Sequence, residues 1–380
     1  MKKRTFTSAL VVALTTIAVV TSCRSTTGGQ SSTSAAANDT LPELKADESI
    51  NKATRFYAGL SKEGIEMNAR DAEAWEKYSK EIKGMLDAAG KTLTMVDSLS
   101  AADFGDFRDK IDYVFYPFSG ADFLYANAIF PDADTYFLCG LEKVGSPIGT
   151  NIKTDPAQYA SYRRALLSLM RNSYFITKDM KNDLDNEQLD GICPVLTMLM
   201  AAAGRQIISI ENMKIDENGN LIPADGNGNV MKYKFFKEGS KHEQTLYYFS
   251  CDVNNDRMDP NVRKYLIVTL PKHKVATYLK AASYLMHMKN FSDMRDFIVN
   301  NSQYVVEDDS GVPYKYLTSD FDITLYGMYK RPLPVFTDAC IQHDLDSVYK
   351  ATASNVKPLP FRIGYNNPSN WLCARRKNAK

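Results

Sequence analysis

Residues 112 to 142 read DYVFYPFSGADFLYANAIFPDADTYFLCGLE: an apolar run, a turn at Gly120, an aromatic-rich helical stretch and a second apolar run. Strand, turn, helix and strand within about thirty residues is the size of a βαβ unit, whose crossover is almost always right-handed. This stretch limits the fold more than any other, because it commits the chain to a parallel pair with a helix packed over it.

On either side, helical and strand patterns alternate. Ala53, Phe56, Tyr57 and Leu60, then Trp75, Tyr78, Ile82 and Leu86, recur at helical spacing and predict amphipathic helices. Asp155 followed by Pro156 predicts a helix start, with Tyr159, Tyr162, Leu166 and Met170 as its buried stripe. PVLTMLMAAAG, from Pro194, is apolar on all sides and predicts a buried helix. From Gln206 the segments QIISIE, VMKYKFF and TLYYFS, separated by turn residues, predict an antiparallel meander. Val275, Tyr278, Leu279, Ala282 and Met286 read as a helix, and Phe291 to Val299 as another. QYVV reads as a short buried strand ending in Glu307, Asp308 and Asp309, and FDITLYGMY as a further strand. A helix through Ile341, Leu345 and Val348 follows, and then FRIGY and WLCARR, paired across a turn from Asn366 to Asn370. Interleaved helices and strands with a hairpin region predict an α/β fold, a single mixed-sheet domain, with α+β as the alternative. No Pro/Gly/Ser-rich break divides residues 47–380, so they are expected to form one domain.

The N-terminus carries an address. Lys2, Lys3 and Arg4 precede an apolar stretch, Ala9 to Val20, too short to span a bilayer, so residues 1–22 read as a signal peptide. Val20, Thr21 and Ser22 before Cys23 resemble the lipobox of bacterial lipoproteins, with Val20 where the family usually has Leu. That resemblance implies that Cys23 is lipidated and becomes the first mature residue, making the membrane a partner through its anchor. In the same family Asp after the lipidated cysteine commonly retains the protein in the inner membrane; Arg24 stands there, which implies the outer membrane, facing the periplasm. Residues 23–46 are rich in Ser, Thr, Ala, Gly and Asn and read as a flexible linker.

Composition excludes some chemistry. The precursor's formal charge is +1, and loss of Lys2, Lys3 and Arg4 takes it to −2, so there is no general field for nucleic acid. Cys139, Cys193, Cys251, Cys340 and Cys373 are widely spaced without a CxxC pair; they predict buried thiols, with one disulfide left open. Asp216 to Leu221 and Asp225 to Val230 alternate oxygen ligands as calcium loops do, but Gly falls at the fourth place instead of the sixth, and turn chemistry accounts for both. Asp252-x-Asn254-x-Asp256 has Arg257 at the glycine position. His242, His273, His287 and His343 form no HExxH, and no GxSxG elbow occurs. No metal centre is expected and no cofactor is named by a motif.

One arrangement keeps functional interest. Glu142, Asp252, Asp308 and Asp309 each follow a predicted apolar strand, and open α/β sheets bind ligands beyond strand carboxyl ends. If those ends share an edge, the carboxylates suit a divalent cation or a polyhydroxylated ligand. The opening unit also resembles the first unit of Rossmann-like methyltransferases, in which a Gly-rich turn follows the first strand and an acid, here Glu142, ends the second. That resemblance implies adenosylmethionine as cofactor; the turn departs from it in having a single glycine, Gly120, and in placing Phe118 where cofactor would approach backbone. Phe115, Phe118, Phe123, Leu124, Tyr125 and Phe130 are expected in the core. Blocks such as FLYAN and DDSGVPY are similar to ones in bacterial envelope proteins of unknown activity. The expectation is an anchored envelope lipoprotein that binds a small ligand or an envelope protein, or serves structurally; the alternative is an extracytoplasmic hydrolase or transferase using the strand-end carboxylates.

Overall fold

The computed structural model describes residues 43–171, 181–226 and 228–377. Cys23 and residues 24–42 of the linker lie outside the described residues, as does Asn227 of the second Asp-Gly-Asn-Gly turn. Residues from Glu43 onward cluster as one compact unit.

The chain opens with helices α1 (Glu48–Tyr57) and α2 (Ala69–Phe104), followed by β1 (Tyr113–Tyr116), α3 (Phe123–Ile129) and β2 (Thr135–Gly140). An excursion then runs through α4 (Pro156–Arg171), α5 (Lys181–Leu184), the two-residue strands β3 (Asp185–Asn186) and β4 (Leu189–Asp190), and α6 (Cys193–Ala202). It continues with β5 (Arg205–Ile215), β6 (Leu221–Pro223), β7 (Val230–Lys237) and β8 (Glu243–Ser250). The remainder is α7 (Pro260–Thr269), β9 (Val275–Leu279), α8 (Ser292–Asn301), β10 (Ser302–Glu307), β11 (Phe321–Gly327), α9 (His343–Ala351) and β12 (Asn370–Arg376).

Ten strands form one mixed sheet in the order β11-β12-β10-β9-β1-β2-β8-β7-β5-β6, which makes this an α/β domain. The five central strands, β10, β9, β1, β2 and β8, are mutually parallel. Counted along the chain among themselves, they lie in the order 3-2-1-4-5 of a doubly wound sheet, whose strand order reverses between β1 and β9. Antiparallel strands close both sides: β12 and then β11 beyond β10, and β7, β5 and β6 beyond β8.

Both faces are covered, as a parallel sheet requires. On one face Val114, Tyr116, Tyr136 and Leu138 pack under α1, α2, α3, α4 and α6. On the other, Tyr113, Phe115, Phe137 and Cys139 pack under α7, and Val305 and Ala374 belong to the same core, which α8 and α9 complete. On this second face an aromatic row crosses the strands: Phe115 to Phe137 at 4.9 Å and Phe137 to Phe249 at 4.4 Å between ring centres, with Tyr265 of α7 5.1 Å from Phe249. Each such pair adds about 0.5–1.5 kcal/mol beyond area burial, and together they hold β1, β2 and β8 in register beneath the carboxyl edge.

The opening unit folds as the sequence predicts, with β1 and β2 parallel and α3 between them. Phe115, Phe123, Leu124 and Phe130 are buried, whereas Phe118 and Tyr125 are only half-buried. QIISIE, VMKYKFF and TLYYFS form the expected meander, whose last strand, β8, also enters the parallel core beside β2.

Two expectations are corrected. Val275 to Met286 is not a helix: Val275 to Leu279 is β9, buried at every position between β1 and β10. A strand apolar on both faces satisfies a helical spacing by accident, and the β-branched and aromatic residues Val275, Thr277 and Tyr278 mark the difference. FRIGY is not a strand either; Phe361 to Tyr365 is loop, and β12 pairs instead with β10 and β11.

Candidate functional site

Because β2, β8 and β10 are parallel, Glu142, Asp252, Asp308 and Asp309 all stand at one edge of the sheet. They do not form one cluster. Glu142 and Asp252 line a cleft beyond β1, β2 and β8, while Asp308 and Asp309 lie beyond β10, with β9 and β1 between.

The cleft has a volume of about 350 Å³. Its apolar wall is Phe118 from the β1 turn and Phe291 before α8, with ring centres 6.0 Å apart, together with Leu285. Its polar side is Glu142, Asp252, Asn254, Arg257 and Asn290. Glu142 is only 6% exposed, and the Tyr248 hydroxyl donates to its Oε2, which fixes the direction of the carboxylate. That position depends on Gly140, since a Cβ there would come within 1.9 Å of Glu142 Oε2. Asp252 Oδ1 accepts the Asn254 N–H at 2.9 Å, and Asn254 Oδ1 the Asp256 N–H at 3.0 Å, so this motif is a pair of Asx turns shaping the rim. The first Asp-Asn-Gly segment is likewise a turn, with Asp216 Oδ1 accepting from Asn218 and Asn220. Among the described residues no group of three His, Cys, Asp or Glu side chains is placed to hold a metal ion.

The other neighbourhood is a closed network of charges. Asp122, fully buried, caps α3 by accepting the Tyr125 N–H at 3.2 Å. Its Oδ2 accepts from the Tyr116 hydroxyl at 3.0 Å and pairs with Lys280 Nζ at 2.6 Å. The Lys280 ammonium lies 3.6 Å from the centre of the Tyr125 ring, a cation–π contact. Burial pushes the Asp122 carboxyl up and the Lys280 amine down, and the ion pair opposes both shifts. On the helical side, a second concavity of about 470 Å³ between α2 and α4 ends at Tyr125 and Lys280.

Lys280 begins a strained turn in which Ala281, Ser283 and Tyr284 all have left-handed backbones, with φ of 51°, 53° and 56°. Such residues persist only where the surroundings over-determine them. Here Asp308 Oδ2 accepts the Ala281 N–H at 2.9 Å, Ser310 Oγ accepts the Ala282 N–H at 2.7 Å, and the Tyr284 hydroxyl donates to Asp309 Oδ2 at 2.7 Å. Asn370 Nδ2 donates to Asp309 Oδ1 at 2.8 Å. Gly364, at φ +67°, leaves room for Asp308, whose Oδ2 would stand 2.0 Å from a Cβ. Burial raises the carboxyl of Asp308; burial and then the Asp308 charge push that of Asp309 up to about 7. Burial likewise holds Glu307, which accepts the Val312 N–H, well above the usual carboxylate range.

Sequence reasoning did not single out Asp122 or Lys280. Asp122 carries an N-cap signature, an Asp just before an apolar helical run. Lys280 is the charged residue that ends an apolar strand, the signal that picked out Glu142, and it was hidden by the helical reading of Val275 to Met286. Comparison with protein families, with curated proteins and with solved structures gave no match.

Proposed function

We propose that this domain binds a small, partly planar, diol-bearing molecule of nucleoside type, without a phosphate, in the cleft beyond β1, β2 and β8. The observation that carries this reading is Glu142: a nearly buried carboxylate just after β2, held by the Tyr248 hydroxyl, in the lining of a cleft whose apolar wall is Phe118, Leu285 and Phe291. In doubly wound sheets an acid placed after the second strand accepts from ribose hydroxyls, while the pyrophosphate takes the N-terminus of the first helix. Here the Asp122 carboxylate, paired with Lys280, already caps that N-terminus by accepting the Tyr125 N–H, so the place a phosphate would take is filled by the protein's own side chain. The ligand class is therefore a polyol with a flat apolar part.

Titration calorimetry with adenosine, ribose and adenosine monophosphate tests this. Adenosine is expected to bind, the monophosphate no more tightly, and Glu142→Gln to weaken adenosine binding tenfold or more, as loss of a hydrogen bond to a charged group implies. Absence of adenosine binding, or binding unchanged in Glu142→Gln, overturns the reading. The alternative of a hydrolase or transferase drawing on all four carboxylates has less support, because Asp308 and Asp309 are engaged in holding the 280–284 turn.

The proposal places the domain on the outer membrane, facing the periplasm, tethered by lipid on Cys23. No described helix is long and apolar enough to cross a membrane. Cys23→Ser is expected to abolish labelling by radioactive palmitate and to release the protein from membranes; equal labelling of the variant would refute the anchor.

A further inference from the structure

Two thiols meet at the floor of the cleft. Cys139 lies at the end of β2, 1% exposed, and its N–H donates to Ser119 Oγ at 2.8 Å, tying it to the β1 turn. Cys251 is the first residue after β8, and its N–H donates to Gly140 O at 2.9 Å, tying it to β2. Their side chains fall on the same face of the sheet, and Cys251 is half-buried against the core that contains Cys139. The two Sγ atoms are 3.1 Å apart, and both residues are free thiols lining the cleft. A disulfide needs the sulfurs to approach by about 1 Å from this separation. Cys193, Cys340 and Cys373 are buried elsewhere, on α6, in the turn before α9 and on β12.

We propose that Cys139 and Cys251 are a redox pair that closes by thiol–disulfide exchange with a small disulfide co-reactant. Exposure assigns the roles. Cys251, reached through the cleft, attacks as thiolate on one sulfur of the co-reactant; that S–S bond breaks, one co-reactant thiolate leaves, and a mixed disulfide forms on Cys251. Cys139 then loses its proton to the departing thiolate, and its sulfur attacks Cys251 Sγ and expels the second co-reactant thiolate, which is protonated by solvent. The balance is two protein thiols and one small disulfide giving one protein disulfide and two small thiols. Its sulfur, 3.1 Å from Cys251 Sγ, is placed for the second step, while its hydrogen bond to Cys251 and its burial keep the thiol well above its ordinary value and disfavour it as the first attacker. The closed bond would join the end of β2 to the residue after β8, three residues before Glu142 and one before Asp252, and fix the floor on which both stand. This inference does not depend on the identity of the cleft's ligand.

The test is to reduce the full chain, remove the reductant, add oxidised glutathione, block remaining thiols and map peptides without reduction. In wild type the expected product is a peptide pair linked through Cys139 and Cys251, with no glutathione retained on either. Cys139→Ser is expected to trap glutathione on Cys251, and Cys251→Ser to leave Cys139 reduced. Wild-type protein that keeps both thiols free, or that retains glutathione on Cys251 without the linked peptide, overturns the proposal whatever the variants do.

Discussion

The carboxyl edge of the central sheet holds two neighbourhoods built from the same kind of residue and put to opposite use. At β2 and β8 the strand-end acids, Glu142 and Asp252, line a cleft with an apolar wall. At β9 and β10 the strand ends supply Lys280, Asp308 and Asp309, which are taken up by Asp122, by the Ala281 N–H and by the side chains of Tyr284 and Asn370. An acid at a strand end therefore says little about function. What decides its role is whether the loop beyond the neighbouring strand folds over it. The 280–285 turn does this on one side, buries the acids there, and delivers Leu285 to the wall of the cleft on the other.

The comparison breaks most visibly at Asp122. Its removal leaves the Lys280 ammonium buried without its carboxylate, so Asp122→Ala is expected to cost about 3–5 kcal/mol in urea unfolding. A loss below about 1 kcal/mol would mean that the charged network is not what holds this side of the edge together.

Next in size is a pH effect. With the Asp309 carboxyl at about 7 in the fold and 3.8 as its ordinary value, the folded chain holds a proton between about pH 4 and 7 that the unfolded chain has released. Its contribution to stability is greatest at the acid end of that window and falls as pH rises through it. His287, held by burial at about 4, contributes the opposite slope, so the informative quantity is the difference between wild type and variant. Asp309→Asn is expected to remove a fall on the order of 1–3 kcal/mol across the window. Parallel stability curves for the two proteins would place the titration elsewhere.

The smallest effect belongs to the cleft. Asp252 is half-exposed, and its ion contact with the exposed Arg257, at 3.6 Å, is of the surface kind. Asp252→Asn keeps an acceptor for the Asn254 N–H and should leave stability within about 0.5 kcal/mol. A change as large as that at Asp122 would erase the distinction between open and closed ends.

Much of this was legible in the sequence where the signal is local. The β1–α3–β2 unit announces itself because strand and helix periodicities change across single turns, and the meander because turn residues, Asn-Gly among them, separate the apolar runs. β9 was misread because burial on both faces removes the alternation that distinguishes a strand. FRIGY was misread because a short apolar run beside a turn fits a hairpin as readily as a loop packed under Trp371. The strand-end rule found Glu142 and Asp252, but it could not separate them from Asp308 and Asp309, whose strands look alike one by one.

The chain's own order of residues was enough to determine an interleaved α/β domain with a parallel unit at its start and an antiparallel meander within it, since each of these rests on contacts between near neighbours. Only the tertiary structure decided that β8 joins β2 and β9 joins β1, and with those pairings everything at the edge. Cys139 meets Cys251 across 112 positions, and Asp122 meets Lys280 across a comparable span of chain. Pairings of that range are set by how whole layers pack, a property no local spacing encodes.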